Sequence, residues 1–247
     1  MDLHSSLQVF VISLERSLGR REEVKRQLAK LSLQWKFISA VDGYALSQMP
    51  PAYQSIRVKL LQGYELTPGE IGCFLSHIQA WNLCVKNNVI TFVFEDDFII
   101  TQNLEPVIED LIGIADQWNL VRLSGIYETK HQVLSHRKLY DLAKNLGEPC
   151  GTAAYIIQPA AAKELLENAK FIYEPVDHFM EHYFKHGLTF LAAKPYPVQL
   201  SHSKSTITDR PGRKPVKGFR KMIRSLCRWI DRIVNDSPWF PRAYIKK

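Results

Sequence analysis

The stretch "FVFEDDFII", residues 92–100, sets three consecutive acids, Glu95, Asp96 and Asp97, inside an apolar run. Carboxylates this close do not all stay ionised comfortably without a cation beside them. Oxygen-rich clusters suit Mg²⁺ or Mn²⁺, which keep coordination positions open for substrate phosphates. In an extended chain successive side chains alternate, so Glu95 and Asp97 are expected on one side and Asp96 on the other. The plainer reading is a solvated turn cluster leading into the next helix. Taken alone, the triplet does not separate a metal-dependent hydrolase from a transferase.

The elements around the triplet say where it must lie. "VITFVF" reads as a central strand, so the acids emerge at its carboxyl end, where open α/β sheets bind ligands. "LQVFVISL" (7–14) is an opening strand, followed by a helix with Val24, Leu28 and Leu31 at helical spacing. "WKFISAVDG" is a second strand ending in a turn at Asp42 and Gly43. Residues 44–66 read as a long loop with room for a short helix. "TPGE" is a helix start, with Thr67 as N-cap, Pro68 at the first position and Glu70 closing a capping box. That helix should run to about Lys86 on a stripe of Ile71, Phe74, Leu75, Ile78, Trp81 and Val85. Further on come a helix over 104–118, strands over 120–125 and 151–159, a helix over 160–168, and one over 176–186 stopped by Gly187. This alternation predicts an α/β fold, a mostly parallel sheet flanked by helices.

The chain of 247 residues suffices for one large domain or two small ones, and 46 % apolar with 23 % charged residues is ordinary for a globular protein. Cys73, Cys84, Cys150 and Cys227 lack CxxC spacing, which speaks against zinc and a disulfide framework and for a reducing compartment. Cys73 and Cys84 are expected as small hydrophobes on a buried helix face. The longest apolar stretch near the start, Val9 to Ile12, is too short for a signal segment or a membrane span, so a chain that is not exported is expected. From residue 210 to 247 twelve Lys or Arg face two acids, a net +10 against +7 for the whole chain, which leaves 1–209 at −3. A body so close to neutral argues against nucleic acid as a partner.

"VISLERSLGRR", "AVDG", "LTPGEIGCFLSHIQAW", "FVFEDDF", "GTAAYII", "EPVDHFM" and "PVQLSHSKSTI" follow one another in that order. Over about residues 7–208 the chain thereby resembles glycosyltransferase family 25, the bacterial lipooligosaccharide galactosyltransferases related to collagen-modifying enzymes. It departs from the family's first motif at Ser13, usually Asn, and at Gly19, usually Asp. The resemblance implies a GT-A-type, Rossmann-like fold and a UDP-galactose donor. It also implies Mn²⁺ or Mg²⁺ bridging the triplet and the diphosphate, and inverting transfer to a sugar hydroxyl of a lipooligosaccharide acceptor through a β-1,4 link. By the same analogy Asp97 binds the metal, Glu95 the metal or the ribose, and Asp96 supports them or meets the ribose. An inverting transfer needs a carboxylate base, for which Asp177 is the first choice. Its alternative is an N-cap role.

Other contacts follow from the same resemblance. Ser13 and Leu14 are placed to hold the uracil, and Arg16 to reach a phosphate. Arg20 is expected on a solvated helix face. Asp42 either accepts from uracil or ribose or serves its turn. Ser76 is assigned to the nucleotide, whereas His77 is a ligand or a buried, satisfied histidine. Gly151 and Thr152 let the chain approach the sugar, Gln199 contacts the donor, and His202 is either a third metal ligand or a plain loop histidine.

In the tail, Phe219, Met222, Ile223, Leu226, Trp229, Ile230 and Ile233 recur at helical spacing among Arg220, Lys221, Arg224, Arg228 and Arg232. A basic amphipathic helix with Trp on its apolar face suits an anionic membrane surface; packing on the body is the alternative. The division expected is a catalytic domain over 1–209 and a membrane-associating segment over 210–247. The location expected is peripheral, on the cytosolic face of the inner membrane. A phosphohydrolase and a non-catalytic membrane-binding module are the competing readings.

Overall fold

The computed structural model describes residues 7–201 and position 226. Its strands are β1 (Leu7–Ser13), β2 (Trp35–Ser39), β3 (Ile90–Glu95), β4 (Phe98–Ile100), β5 (Leu120–Arg122), β6 (His131–His136), β7 (Asp141–Asn145), β8 (Ala154–Ile157), β9 (Leu191–Lys194) and β10 (Val198–Leu200). Its helices are α1 (Leu18–Leu28), α2 (Ser55–Leu61), α3 (Pro68–Asn87), α4 (Leu104–Gly113), α5 (Pro159–Asn168), α6 (Val176–Glu181) and α7 (Tyr183–His186).

Eight strands form one sheet in the order β2-β1-β3-β8-β5-β9-β7-β6, while β4 and β10 make a small second sheet. β1 pairs in parallel with β2 and β3, and β5 with β9. β8 and β7 run against their neighbours, so the expected mostly parallel sheet carries two reversed strands.

Alternation along β1 and β3 builds two apolar layers, one on each face. Val9, Val11, Phe92 and Phe94 pack with Val24 and Leu28 of α1 and with Leu104 and Ile108 of α4. Ile12 and Val93 pack on the other side with Phe74 and Trp81 of α3, Leu165 of α5 and Phe179 of α6. Each such side chain, fully buried, contributes about 1.5–3 kcal/mol, so these layers fix which helix overlooks which end of the sheet.

α3 forms as its sequence predicts. Thr67 accepts from the Glu70 backbone while Glu70 reaches back to the Thr67 N–H, and Asn88 ends the helix in a left-handed conformation at φ 52°. Gly43 and Gly72 let the "AVDG" turn press against this helix: a Cβ on Gly43 would lie 1.7 Å from the Pro68 carbonyl oxygen, and one on Gly72 2.4 Å from that of Val41.

Four local expectations are corrected. The helix predicted over 104–118 stops at Gly113 and gives way to a 3₁₀ turn at Ala115–Gln117. The helix predicted over 176–186 breaks at His182, whose ψ of 74° leaves the helical region, into α6 and α7. The strand expected to reach Gly125 ends at Arg122. Cys84 is buried as expected, but Cys73 is only half-buried and lines a cleft; Cys73, Cys84 and Cys150 are all free thiols. The proposed tail helix lies outside the described residues. Among the described residues no helix is long and apolar enough to cross a membrane.

Candidate active site

A cleft opens where β1, β2 and β3 end, lined by residues that follow these strands and by residues of α3 and α6. Ser13, Leu14, Arg16 and Asp42 line one side, and Ser76 of α3 its floor. Glu95, Asp96 and Asp97 lie at the end of β3. Gly151, Thr152 and Asp177 close the opposite side.

The reversed direction of β8 explains how distant segments meet. Its start pairs with the end of β3, Ala154 opposite Phe94, and the Glu95 N–H bonds the Ala153 carbonyl. Thr152 is thereby brought to Glu95, and its hydroxyl donates to Glu95 Oε1. His77 Nε2 lies 3.3 Å from the same oxygen. Burial pushes the Glu95 carboxyl up, but the hydrogen bonds from His77 and Thr152, with the Arg20 charge nearby, outweigh it and hold it below its ordinary value.

Alternation places Glu95 toward α3 and Asp96 toward α1, as expected. Asp96 accepts from Ser13 Oγ at 2.7 Å and from Arg20 at 2.8 Å. Asp97 stays close enough to Glu95 for that carboxylate to be the strongest charge acting on it. The strand ends at Glu95, the chain bends, and Asp97 lies 3.6 Å from the same Arg20 nitrogen. Arg20 is therefore not on a solvated face: its side chain is 16 % exposed and is the cation beside the acids. Spacing carries a signal for this, since Arg20, Val24 and Leu28 recur every four residues and the apolar stripe of α1, continued one turn back, falls on Arg20.

One guanidinium does not satisfy three carboxylates. Asp97 Oδ1 is buried without a hydrogen-bond partner. Burial, reinforced by the Glu95 charge and opposed by Arg20, raises the Asp97 carboxyl to about 7. An orphaned carboxylate oxygen beside the charges of Glu95 and Asp96 suits a hard divalent cation, so the chemistry of the donor set fits the implied metal. Glu95, Asp96 and Asp97 do not, however, together form one of the groups of described residues whose ligand atoms all lie within 4.8 Å of one another. His202, the proposed third ligand, lies outside the described residues. A second group, Cys73, His77 and Glu95, has ligand atoms within 4.8 Å of one another. Burial and the acids around it hold the Cys73 thiol well above its ordinary value, which opposes a thiolate ligand.

Arg16 and Asp42 face each other across the mouth at 2.7 Å, and Asp42 also accepts from the Tyr44 N–H. An exposed pair of this kind is worth about 0–1 kcal/mol and opens readily for a ligand. Ser76 lines the cleft, donates to the Gly72 carbonyl at 2.7 Å and accepts from the Val41 N–H at 2.8 Å, so its hydroxyl ties the "AVDG" turn to α3. The Gln199 assignment is corrected. Gln199 is exposed and outside the cleft, because β10 alternates and it is Leu200 that faces inward.

Asp177 is in the first turn of α6, one place beyond Val176, and Pro175 holds the N-cap. Its Oδ1 accepts from the His178 N–H at 3.0 Å and its Oδ2 from the Gly151 N–H at 3.2 Å. Gly151 adopts φ +74°, which favours glycine. Its carbonyl accepts from Arg122 at 2.6 Å, and Arg122 pairs with Glu181 at 2.6 Å, both 1 % exposed. Arg122 and Glu181 escaped the sequence reading, although an arginine inside "LVRLSG" is the same kind of charge in an apolar run as the triplet.

A family model described as glycosyltransferase family 25 (LPS biosynthesis protein) matches residues 6–180. The human inactive glycosyltransferase 25 family member 3 is 29 % identical over 79 % of this chain and 37 % of its own length. Procollagen galactosyltransferase 1-A of Xenopus laevis is 32 % identical over 74 % of this chain and 32 % of its own. The chain thus spans about a third of the length of these curated relatives. Among solved structures, mouse xyloside xylosyltransferase 1 in its apo form aligns with a TM-score of 0.33 and 13 % identity, over 74 % of this chain and 71 % of that one, too loose to bear on fold or function. The family model runs from β1 through every element that lines the cleft as far as α6, and on that match the chain belongs to glycosyltransferase family 25.

Proposed function

We propose that this chain is a metal-dependent, inverting glycosyltransferase that moves galactose from UDP-galactose to a sugar hydroxyl of a lipooligosaccharide acceptor through a β-1,4 link. The observation that carries the reading is the buried, unpartnered Asp97 Oδ1 beside Glu95 and Asp96 in a family 25 cleft. Galactose is suggested by the name of the Xenopus relative, and the acceptor by the family's description. Membership alone does not assign turnover, because a human member is named as inactive.

In this reading Asp97 and Glu95 hold Mn²⁺ or Mg²⁺, joined by His202. The ion, when bound, supplies positive charge against the negative charge that grows on the departing diphosphate. Arg16 and Arg20 favour the diphosphate on the cleft wall, and Ser13, Leu14 and Asp42 receive the uridine. Asp177 takes the proton of the acceptor hydroxyl while its oxygen bonds the anomeric carbon. The bond from that carbon to the diphosphate oxygen breaks, and UDP leaves with the electron pair.

Calorimetry with UDP, with and without Mn²⁺, followed by a panel of UDP-sugars with a lipooligosaccharide acceptor, tests the proposal. Metal-linked heat and acceptor-dependent transfer of galactose are expected. No metal-linked heat would leave a non-catalytic module, and rapid donor cleavage indifferent to acceptor would make the protein a hydrolase. We further propose that residues 210–247 dock the enzyme on the anionic cytosolic face of the inner membrane. Sedimentation with anionic vesicles should be lost on truncation after Ile207; retained binding refutes the docking role.

A further inference from the structure

Trp81, Tyr155 and His77 are each 0 % exposed and lie in one buried file that ends at the cleft. His77 and Trp81 are four residues apart on α3, and Tyr155 of β8 stands opposite Val93, two residues before Glu95 on the same strand face. Trp81 Nε1 is 2.9 Å from the Tyr155 hydroxyl, which is 2.9 Å from His77 Nδ1; His77 Nε2 is 3.3 Å from Glu95 Oε1. We infer that this file is a one-way hydrogen-bond chain in which His77 is a positioning residue for Glu95. It fixes Oε1 to the protein and leaves Oε2 for the ligand.

The direction follows from the inventory of donors. An indole N–H has a proton and no lone pair, so Trp81 can only donate to the Tyr155 oxygen. The Tyr155 hydroxyl proton then has one acceptor among the described residues, His77 Nδ1. With Nδ1 accepting, the ring proton is on Nε2 and points at Glu95. The reverse order would leave a buried hydroxyl proton without an acceptor and set an imidazole lone pair against a carboxylate, both costly. Two donors, Thr152 and His77, therefore converge on Oε1, and Oε2 carries no hydrogen bond among the described residues. The same direction removes His77 from the group it forms with Cys73 and Glu95, since the nitrogen facing that group holds a proton instead of a free lone pair. The cleft is thereby kept for a hard, oxygen-seeking cation and closed to a thiol–imidazole site.

The inference rests on the proposed role of Glu95 toward the metal or ribose, and two separable readouts test it. In the ligand-free full chain labelled with ¹⁵N-histidine, the His77 ring should show its proton on Nε2, and Tyr155→Phe should allow both tautomers. A proton on Nδ1 overturns the chain. Mn²⁺-dependent UDP binding should weaken about 10- to 100-fold in His77→Leu, as for lost supports of a ligating carboxylate. His77→Gln, which keeps an N–H near the Nε2 position, should recover most of it while melting at the same temperature as His77→Leu. Equal binding by His77→Leu and wild type, or equal loss in both variants, overturns the positioning role. A wild-type protein without metal-linked UDP heat counts instead against the proposed function, and the tautomer spectrum still decides the chain.

Discussion

At the ends of β1 and β3, Asp96 and Asp97 share one guanidinium beside Glu95, and Asp97 keeps a buried oxygen with no hydrogen-bond partner. Behind the cleft, between β5 and α6, Arg122 and Glu181 meet at 2.6 Å with almost no exposure, and Arg122 also holds the Gly151 carbonyl. The first group has more carboxylates than cations, whereas the second sets one against one. Yet Arg122 Nε and Nη2 are, like Asp97 Oδ1, buried without a hydrogen-bond partner, and burial raises Glu181 to about 7 as it does Asp97. An unbalanced group is one that a ligand can complete, whereas a balanced one is scaffolding. Here the scaffolding fixes the Gly151 turn, whose N–H in turn holds Asp177.

The sharpest way to break that comparison is on the balanced side. Arg122→Met leaves Glu181 as a buried charge without its partner and should cost about 3–5 kcal/mol of stability, read as a lower denaturant midpoint. If the variant melts like the wild type, the pair is not scaffolding. Next in size is Asp177→Asn, expected to spare UDP binding while turnover falls roughly 10²- to 10⁴-fold, as steady-state and single-turnover kinetics would show. Undiminished turnover would move the base elsewhere.

The smallest effect sharpens the unbalanced side. Asp97 holds its proton in the folded, metal-free protein up to about pH 7, whereas an unfolded carboxyl releases it near its ordinary value of 3.8. Between those values the folded state binds more protons than the unfolded, so stability falls as pH rises from about 4 to about 7 and levels off above. Melting curves across that range should show the decline. Asp97→Asn should lessen the decline, leaving the part due to Glu181, which burial also raises to about 7. Mn²⁺ should raise the wild-type melting temperature most at the alkaline end, where the Asp97 carboxylate is free to bind. A pH-independent Mn²⁺ effect would detach the metal from Asp97.

Much of this was legible in the chain because it depends on near neighbours. The capping box at Thr67 and Glu70, the stripe of α3 and the acids ending a buried strand are all set by spacings of a few residues. Arg20 was legible too, by the same spacing as Val24 and Leu28, yet a charge at the end of an apolar stripe reads as solvent-facing unless a buried acid is known to await it. Gln199 was misread, and the backbone bonds of Ser76 were not foreseen, because a hydroxyl or an amide in a motif does not announce whether backbone or solvent claims it.

By itself the sequence determined the order of elements, the strand end that carries the acids and the alternation that sends Glu95 and Asp96 to opposite faces. Those follow from periods of two and 3.6 residues, which are local properties of the backbone. Only the tertiary structure decided that β8 runs backwards beside β3, that Thr152 and His77 meet on one oxygen of Glu95, and that Arg122 holds the turn above Asp177. These contacts join residues far apart in the chain, and pairing across a sheet is settled by how whole apolar faces are buried together, which no short window of residues contains.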